Sequence, residues 1–91
     1  MKFNLKRPKK DVKSINVHPG DPLRLECDET SAGIPTGRVY WEGPRKAKLG
    51  PLVMNKLTKG ILLKEDNSLN WEHVSRRDRG FYRLVMNSVF L

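Results

Sequence analysis

The sequence is poor in the residues that staple or catalyse. Cys27 is the single cysteine in 91 residues, so no internal disulfide can form. The histidines are two, His18 and His73, scattered along the chain with Cys27. A structural zinc site needs several Cys or His ligands together, so no metal or cofactor is expected. No apolar run approaches the roughly 20 residues of a membrane helix, so membrane insertion is not expected. The basic start, Met1 to Lys10, lacks the apolar stretch of a signal peptide. Acceptor sequons for N-glycosylation are also missing: Asn67-Ser68-Leu69 and Asn87-Ser88-Val89 both fail at the third position. A lone thiol and missing sequons fit a reducing compartment better than an extracellular one. A sustained apolar stripe at helical spacing is absent, which argues against long helices.

What is present is punctuation. Seven glycines and six prolines cut the chain into short runs, and such density marks turns. Between the breaks the residues alternate. Leu23, Leu25 and Cys27 share one face against Arg24 and Glu26. Val39 and Trp41 share a face with Tyr40 opposite; Leu69 and Trp71 alternate with Ser68 and Asn70. Tyr82, Leu84 and Met86 alternate with Arg83 and Val85. Period two with one polar side predicts half-buried antiparallel strands. Further strands are predicted at Ile15 to Val17, Leu52 to Leu57 and Gly60 to Lys64. Residues 1–13, with the basic, proline-containing stretch Lys6 to Lys13, are expected to form a solvated arm or an edge strand ahead of a domain at 14–91. The fold class is all-β, a sandwich or small barrel.

Three landmarks follow in order. Gly20-Asp21-Pro22-Leu23-Arg24-Leu25-Glu26-Cys27 is a turn feeding a strand that ends in Cys27. Gly33-Ile34-Pro35 then leads to Val39-Tyr40-Trp41, with Trp41 fourteen residues past Cys27. The last is Leu69-x-Trp71-x-x-Val74-x-x-x-Asp78-x-Gly80-x-Tyr82. Over roughly Val17 to Asn87 the chain resembles the immunoglobulin superfamily. The Gly-x-Pro before Trp41 and Met86-Asn87-Ser88 after Tyr82 resemble its intermediate, I-type set. The resemblance implies an antiparallel β-sandwich with Trp41 between the sheets and Leu69 and Val74 closing the core. Asp78 and Gly80 would shape a turn, and Tyr82 would bond back to the backbone. With Cys27, Trp71 and Leu84, these residues are the expected structural set.

Three departures accompany the resemblance. Leu84 stands where the family has its second Cys, so Cys27 is expected to be a small buried hydrophobe. Trp71 stands where the family has Ile or Leu, which either compensates for the lost disulfide or overpacks the core. Nine residues follow Tyr82, so the last strand is expected to be short, around Val89-Phe90-Leu91, or missing. An open sheet edge would then favour association through strands, as a homodimer or by strand exchange.

Eighteen Lys and Arg against ten Asp and Glu leave a formal net charge of +8. That balance favours polyanionic partners. Basic residues gather at Lys6-Arg7-Lys9-Lys10, at Arg45-Lys46-Lys48 and at Arg76-Arg77-Arg79. The latter two are candidate anion-binding residues for a heparan-like sulfated polysaccharide or an acidic protein. Turns at opposite ends of a sandwich need not form one patch, so dispersed solubilising charge is the expectation. Neither histidine belongs to a recognisable nucleophile–base motif, and catalysis is not expected. The expected function is a protein-interaction or adhesion module of a larger receptor, adhesion or cytoskeletal protein. The cell-surface setting follows from where most of the family is found; a cytoplasmic, sarcomeric setting is the alternative. The competing reading is a small basic RNA-binding barrel of ribosomal type. Val17-His18-Pro19-Gly20-Asp21-x-Leu23-x-Leu25 resembles the Gly-Asp turn of such barrels, which leaves Trp41 and Asp78-x-Gly80-x-Tyr82 unexplained.

Overall fold

The computed structural model describes residues 1–8, 10–27, 33–50 and 60–86. Eight strands occupy them: β1 (Lys2–Lys6), β2 (Lys13–Asn16), β3 (Leu23–Leu25), β4 (Val39–Glu42), β5 (Lys48–Leu49), β6 (Ile61–Leu63), β7 (Leu69–Trp71) and β8 (Gly80–Met86). They form two sheets, in the orders β2-β1-β8-β4-β5 and β3-β7-β6. Among the described residues there is no α-helix, only single 3-10 turns such as Pro44–Lys46 and Arg76–Asp78. The described residues are therefore all-β, in two separate sheets rather than one closed barrel. The strands expected near Ile15 to Val17 and Gly60 to Lys64 correspond to β2 and β6. Those expected at Leu52 to Leu57 and at Val89 to Leu91 lie outside the described residues.

The alternation seen in the sequence sets which side chains meet between the layers. Leu23 and Leu25 from β3, Trp41 from β4, Ile61 and Leu63 from β6, and Leu69 and Trp71 from β7 are all buried in one core cluster. Cys27, Val74 and Tyr82 belong to the same cluster, and half-buried Leu84 packs against it. Trp41 is fully buried, and its indole N–H donates to the Asn67 carbonyl at 2.9 Å. Asn67 sits in the left-handed region at φ 67°, where Asn is better tolerated than most residues. Its amide donates in turn to the Ile34 carbonyl at 2.7 Å. Asn67 thus serves the core as a polar hinge pin, a role that its place in a polar turn sequence conceals.

The N-terminal segment differs from expectation in two ways. First, Lys2–Lys6 is neither a solvated arm nor an edge strand. It lies between β2 and β8, with Phe3 and Leu5 essentially fully buried. The reason is a two-residue alternation, Phe3 and Leu5 inward against Lys2 and Lys6 outward, hidden in a run of charges. No domain boundary therefore falls at residue 13, where the β1–β2 hairpin is still in progress. Second, the large sheet is mixed rather than wholly antiparallel. β1 pairs with β8 in parallel, Phe3 opposite Gly80 and Leu5 opposite Tyr82. This register brings Phe3 onto Tyr82, rings stacked with centroids 5.6 Å apart. Trp71, from the other sheet, meets both edge-on at 5.3 Å. Burial of each such side chain stabilises by roughly 1.5–3 kcal/mol, with about 0.5–1.5 kcal/mol more for each aromatic pair. The cluster ties the two sheets together through Trp71.

Candidate anion-binding site

Two turns at one end of the sandwich bring the basic residues together. The first joins β4 to β5. Gly43-Pro44 begins it, with Pro fixing its own φ near the value a helical turn needs. Gly43 N–H donates to Ala47 O at 2.8 Å, and Ala47 N–H to Pro44 O at 3.2 Å. Within the turn Arg45 and Lys46 stand at φ 59° and 61°. A left-handed conformation costs a non-glycine residue about 1–2 kcal/mol, and two in succession survive only where the surroundings over-determine them. Here Pro44 rests on Gly80. A Cβ at Gly80 would meet Pro44 Cγ at 2.7 Å, and the φ of +138° already excludes most side chains.

The second turn leads into β8. Ser75 donates from both its N–H (2.8 Å) and its hydroxyl (3.1 Å) to the Asp78 carboxylate. Asp78 N–H returns a bond to Ser75 O at 2.9 Å. The Asp78 carbonyl accepts the Tyr82 hydroxyl at 2.5 Å. Burial pushes the Tyr82 phenol well above its ordinary value; the Asp78 charge adds to this and Arg45 works against it. Tyr82 therefore remains a neutral donor at any physiological pH, and the turn stays pinned to the core.

Between the turns lies an open cleft of about 310 Å³, lined by Arg45, Arg76, Arg77 and Arg79. Arg45 reaches across to the Arg77 carbonyl at 3.4 Å, and Arg79 folds back to the Arg76 carbonyl at 3.1 Å. These bonds to backbone oxygens orient the guanidiniums without neutralising them. Among the described residues the ion pairs are His18–Asp21, Arg24–Glu26, Arg24–Asp66 and Arg83–Glu42. None involves the four arginines of the cleft. The Asp78 carboxylate is held by Ser75. The result is a concave surface of like charge, whose planar donor forks suit sulfate, phosphate or carboxylate.

The expectation of dispersed charge is thereby corrected for Arg45 and the Arg76-Arg77-Arg79 group. The two turns lie at the same end because β4 and β8 are antiparallel neighbours, with Glu42 opposite Arg83. The end of one strand adjoins the start of the other. Lys46 lines a neighbouring pocket rather than the cleft. Lys48 points elsewhere, its ammonium 4.6 Å from the centroid of the Tyr40 ring. The larger concavity on the outside of the three-stranded sheet, about 500 Å³, includes Arg24, but that guanidinium already serves Asp66 and Glu26.

The chain is similar to Matrix-remodeling-associated protein 5 of Homo sapiens, 32% identical over 75 residues, which is 82% of this chain and 3% of that protein. The chain thus spans a small fraction of its relative's length. No family model matches the chain, and no solved structure matches it significantly.

Proposed function

We propose that this chain is a non-catalytic, immunoglobulin-like interaction module of a larger extracellular protein, and that its arginine cleft binds the anionic groups of a heparan-like sulfated polysaccharide. One observation carries the ligand: four guanidiniums share a cleft with no carboxylate paired to them. Support for the immunoglobulin-type reading comes from the strand orders β3-β7-β6 and β8-β4-β5. It comes also from the buried Trp41 on the strand beside β8 and from the Tyr82 hydroxyl bonded back to the backbone, features shared by such sandwiches. The I-type assignment rests on Gly33-Ile34-Pro35 and Met86-Asn87-Ser88. The parallel β1 beside β8 is the departure. An extracellular, matrix setting is favoured by the relative's name, and an adhesive or receptor role would follow from that setting. Pairing of the outer β2 edge with a second copy is a separate proposal, open to light scattering.

The test is retention on immobilised heparin. The wild-type chain is expected to elute at clearly higher salt than the Arg45→Ala/Arg77→Ala variant. At about 1 kcal/mol per exposed charge contact, each substitution weakens binding roughly fivefold. Both side chains are exposed, so the variant keeps the wild-type melting temperature. Equal elution of the two proteins would refute the cleft as the site.

A further inference from the structure

The pocket adjoining the arginine cleft extends the site in one direction. It has a volume of about 370 Å³ and shares Arg45 with the cleft as a common wall, so the two lie side by side. Its chemistry differs. Phe81 lines it and is 49% exposed, an unusual position for so large an apolar ring next to so much charge. Phe81 is outward-facing on β8, where inward-facing Tyr82 belongs to the core. The exposed ring is fenced by cations. Lys6 Nζ lies 5.1 Å from the Phe81 centroid. Arg83 stands opposite Lys6 in the β1–β8 register. Arg45 and Lys46 also line the pocket. Glu42 is the acidic residue of this pocket, and it is taken up by Arg83, with contacts of 3.0 and 3.4 Å. The carboxylate thus holds a guanidinium in the wall and has little free charge with which to repel an anion.

We infer that this pocket is a second subsite, in which Phe81 receives the apolar face of a sugar ring belonging to the same sulfated chain whose anionic groups lie in the arginine cleft. The inference rests on the proposed function and deepens it, from a point site for an anion to a track for an oligosaccharide. A pyranose carries a C–H face and, around its rim, the sulfates and carboxylates. An exposed aromatic ring encircled by ammonium and guanidinium groups complements that pattern. A single-stranded nucleic acid is served less well, since it stacks successive bases on successive rings. Among the described residues Phe81 is the single exposed aromatic ring, with Tyr40 half-buried beneath Lys48. An acidic peptide would use the cations but has no planar apolar unit at each step.

The experiment is calorimetric titration of the full chain with size-defined heparin tetrasaccharide and octasaccharide. Phe81→Ala is compared with wild type, and melting curves check that the exposed substitution leaves the fold intact. For wild type, affinity is expected to rise at least tenfold from the shorter to the longer fragment. Phe81→Ala should lose most of that gain while binding the tetrasaccharide as wild type does. Saturation transfer from the Phe81 ring to sugar protons should appear with the octasaccharide. Length dependence unchanged in Phe81→Ala, or no ring-to-sugar transfer, overturns the subsite and leaves the cleft reading standing. Failure of every fragment to bind overturns both. A single-stranded oligonucleotide of equal charge that binds more tightly than the octasaccharide, with its advantage lost in Phe81→Ala, overturns the sugar assignment.

Discussion

The two tryptophans of the core differ in one bond. Trp41 gives its N–H to Asn67 O, whereas the Trp71 N–H is buried without an acceptor among the described residues. An unsatisfied buried donor costs about 1–3 kcal/mol. Trp71→Phe removes that donor and leaves a ring able to meet Phe3 and Tyr82, at the cost of a modest cavity. The opposing terms should nearly cancel, with stability changed by less than about 1 kcal/mol. Trp41→Phe leaves a cavity and strands the Asn67 carbonyl, and should cost about 2–4 kcal/mol. Denaturant unfolding of both variants measures the difference, and equal losses would contradict it. Asp66 supplies a second residue-scale outcome. Hydrogen bonds from the Ser68 hydroxyl, then from Arg24, hold its carboxyl far below the usual carboxylate range. A depressed folded value stabilises above the ordinary carboxylate pKa of about 4 and is lost as pH falls below it. The wild type should therefore lose stability more steeply than Asp66→Asn from about pH 4 downward, as chemical melts at stepped pH would reveal. Parallel curves would mean that the bonds to Asp66 are matched in the unfolded chain.

At the scale of elements, strands with a clean polar–apolar alternation were legible from the residues. Leu23 to Cys27, Val39 to Trp41 and Leu69 to Trp71 bury their apolar members as their spacing implies. β1 was not legible, because Lys2, Lys6, Arg7, Lys9 and Lys10 surround two apolar residues, and charge density outweighs so short an alternation. Nor does a local pattern state that a strand will pair in parallel with one nearly eighty residues later; that is a property of the whole topology. β1 is part of the core rather than an appendage, and Phe3→Ala should destabilise by about 3–5 kcal/mol. Val12→Ala, in the exposed loop after β1, should cost less than about 0.5 kcal/mol. Urea melts in which Phe3→Ala behaves like Val12→Ala would place β1 outside the cooperative unit. Gly80 is the clearer case of sequence legibility. The resemblance made it a turn-shaping residue, and a Cβ added there would meet Pro44 Cγ at 2.7 Å.

At the scale of the whole molecule, the cleft exists because strand pairing gathers turns that the sequence keeps thirty residues apart. The basic residue types were visible in the chain, but their convergence depends on β4 and β8 being antiparallel neighbours. A site made of arginines has a distinctive dependence on conditions. Guanidinium keeps its proton throughout the accessible pH range, so heparin retention should stay constant from about pH 5.5 to 8.5. Salt should act strongly, because the Debye length falls from about 10 Å at 0.1 M to about 3 Å at 1 M and the cleft is open to solvent. Position should matter more than charge count. Lys48→Ala and Arg77→Ala each remove one positive charge, yet Lys48 lies over Tyr40 and Arg77 lines the cleft. Elution of Arg77→Ala at lower salt, with Lys48→Ala eluting as wild type, is the result expected of a built site. Equal shifts for both variants would instead reveal a diffuse attraction set by the net charge of +8, with the cleft playing no part of its own.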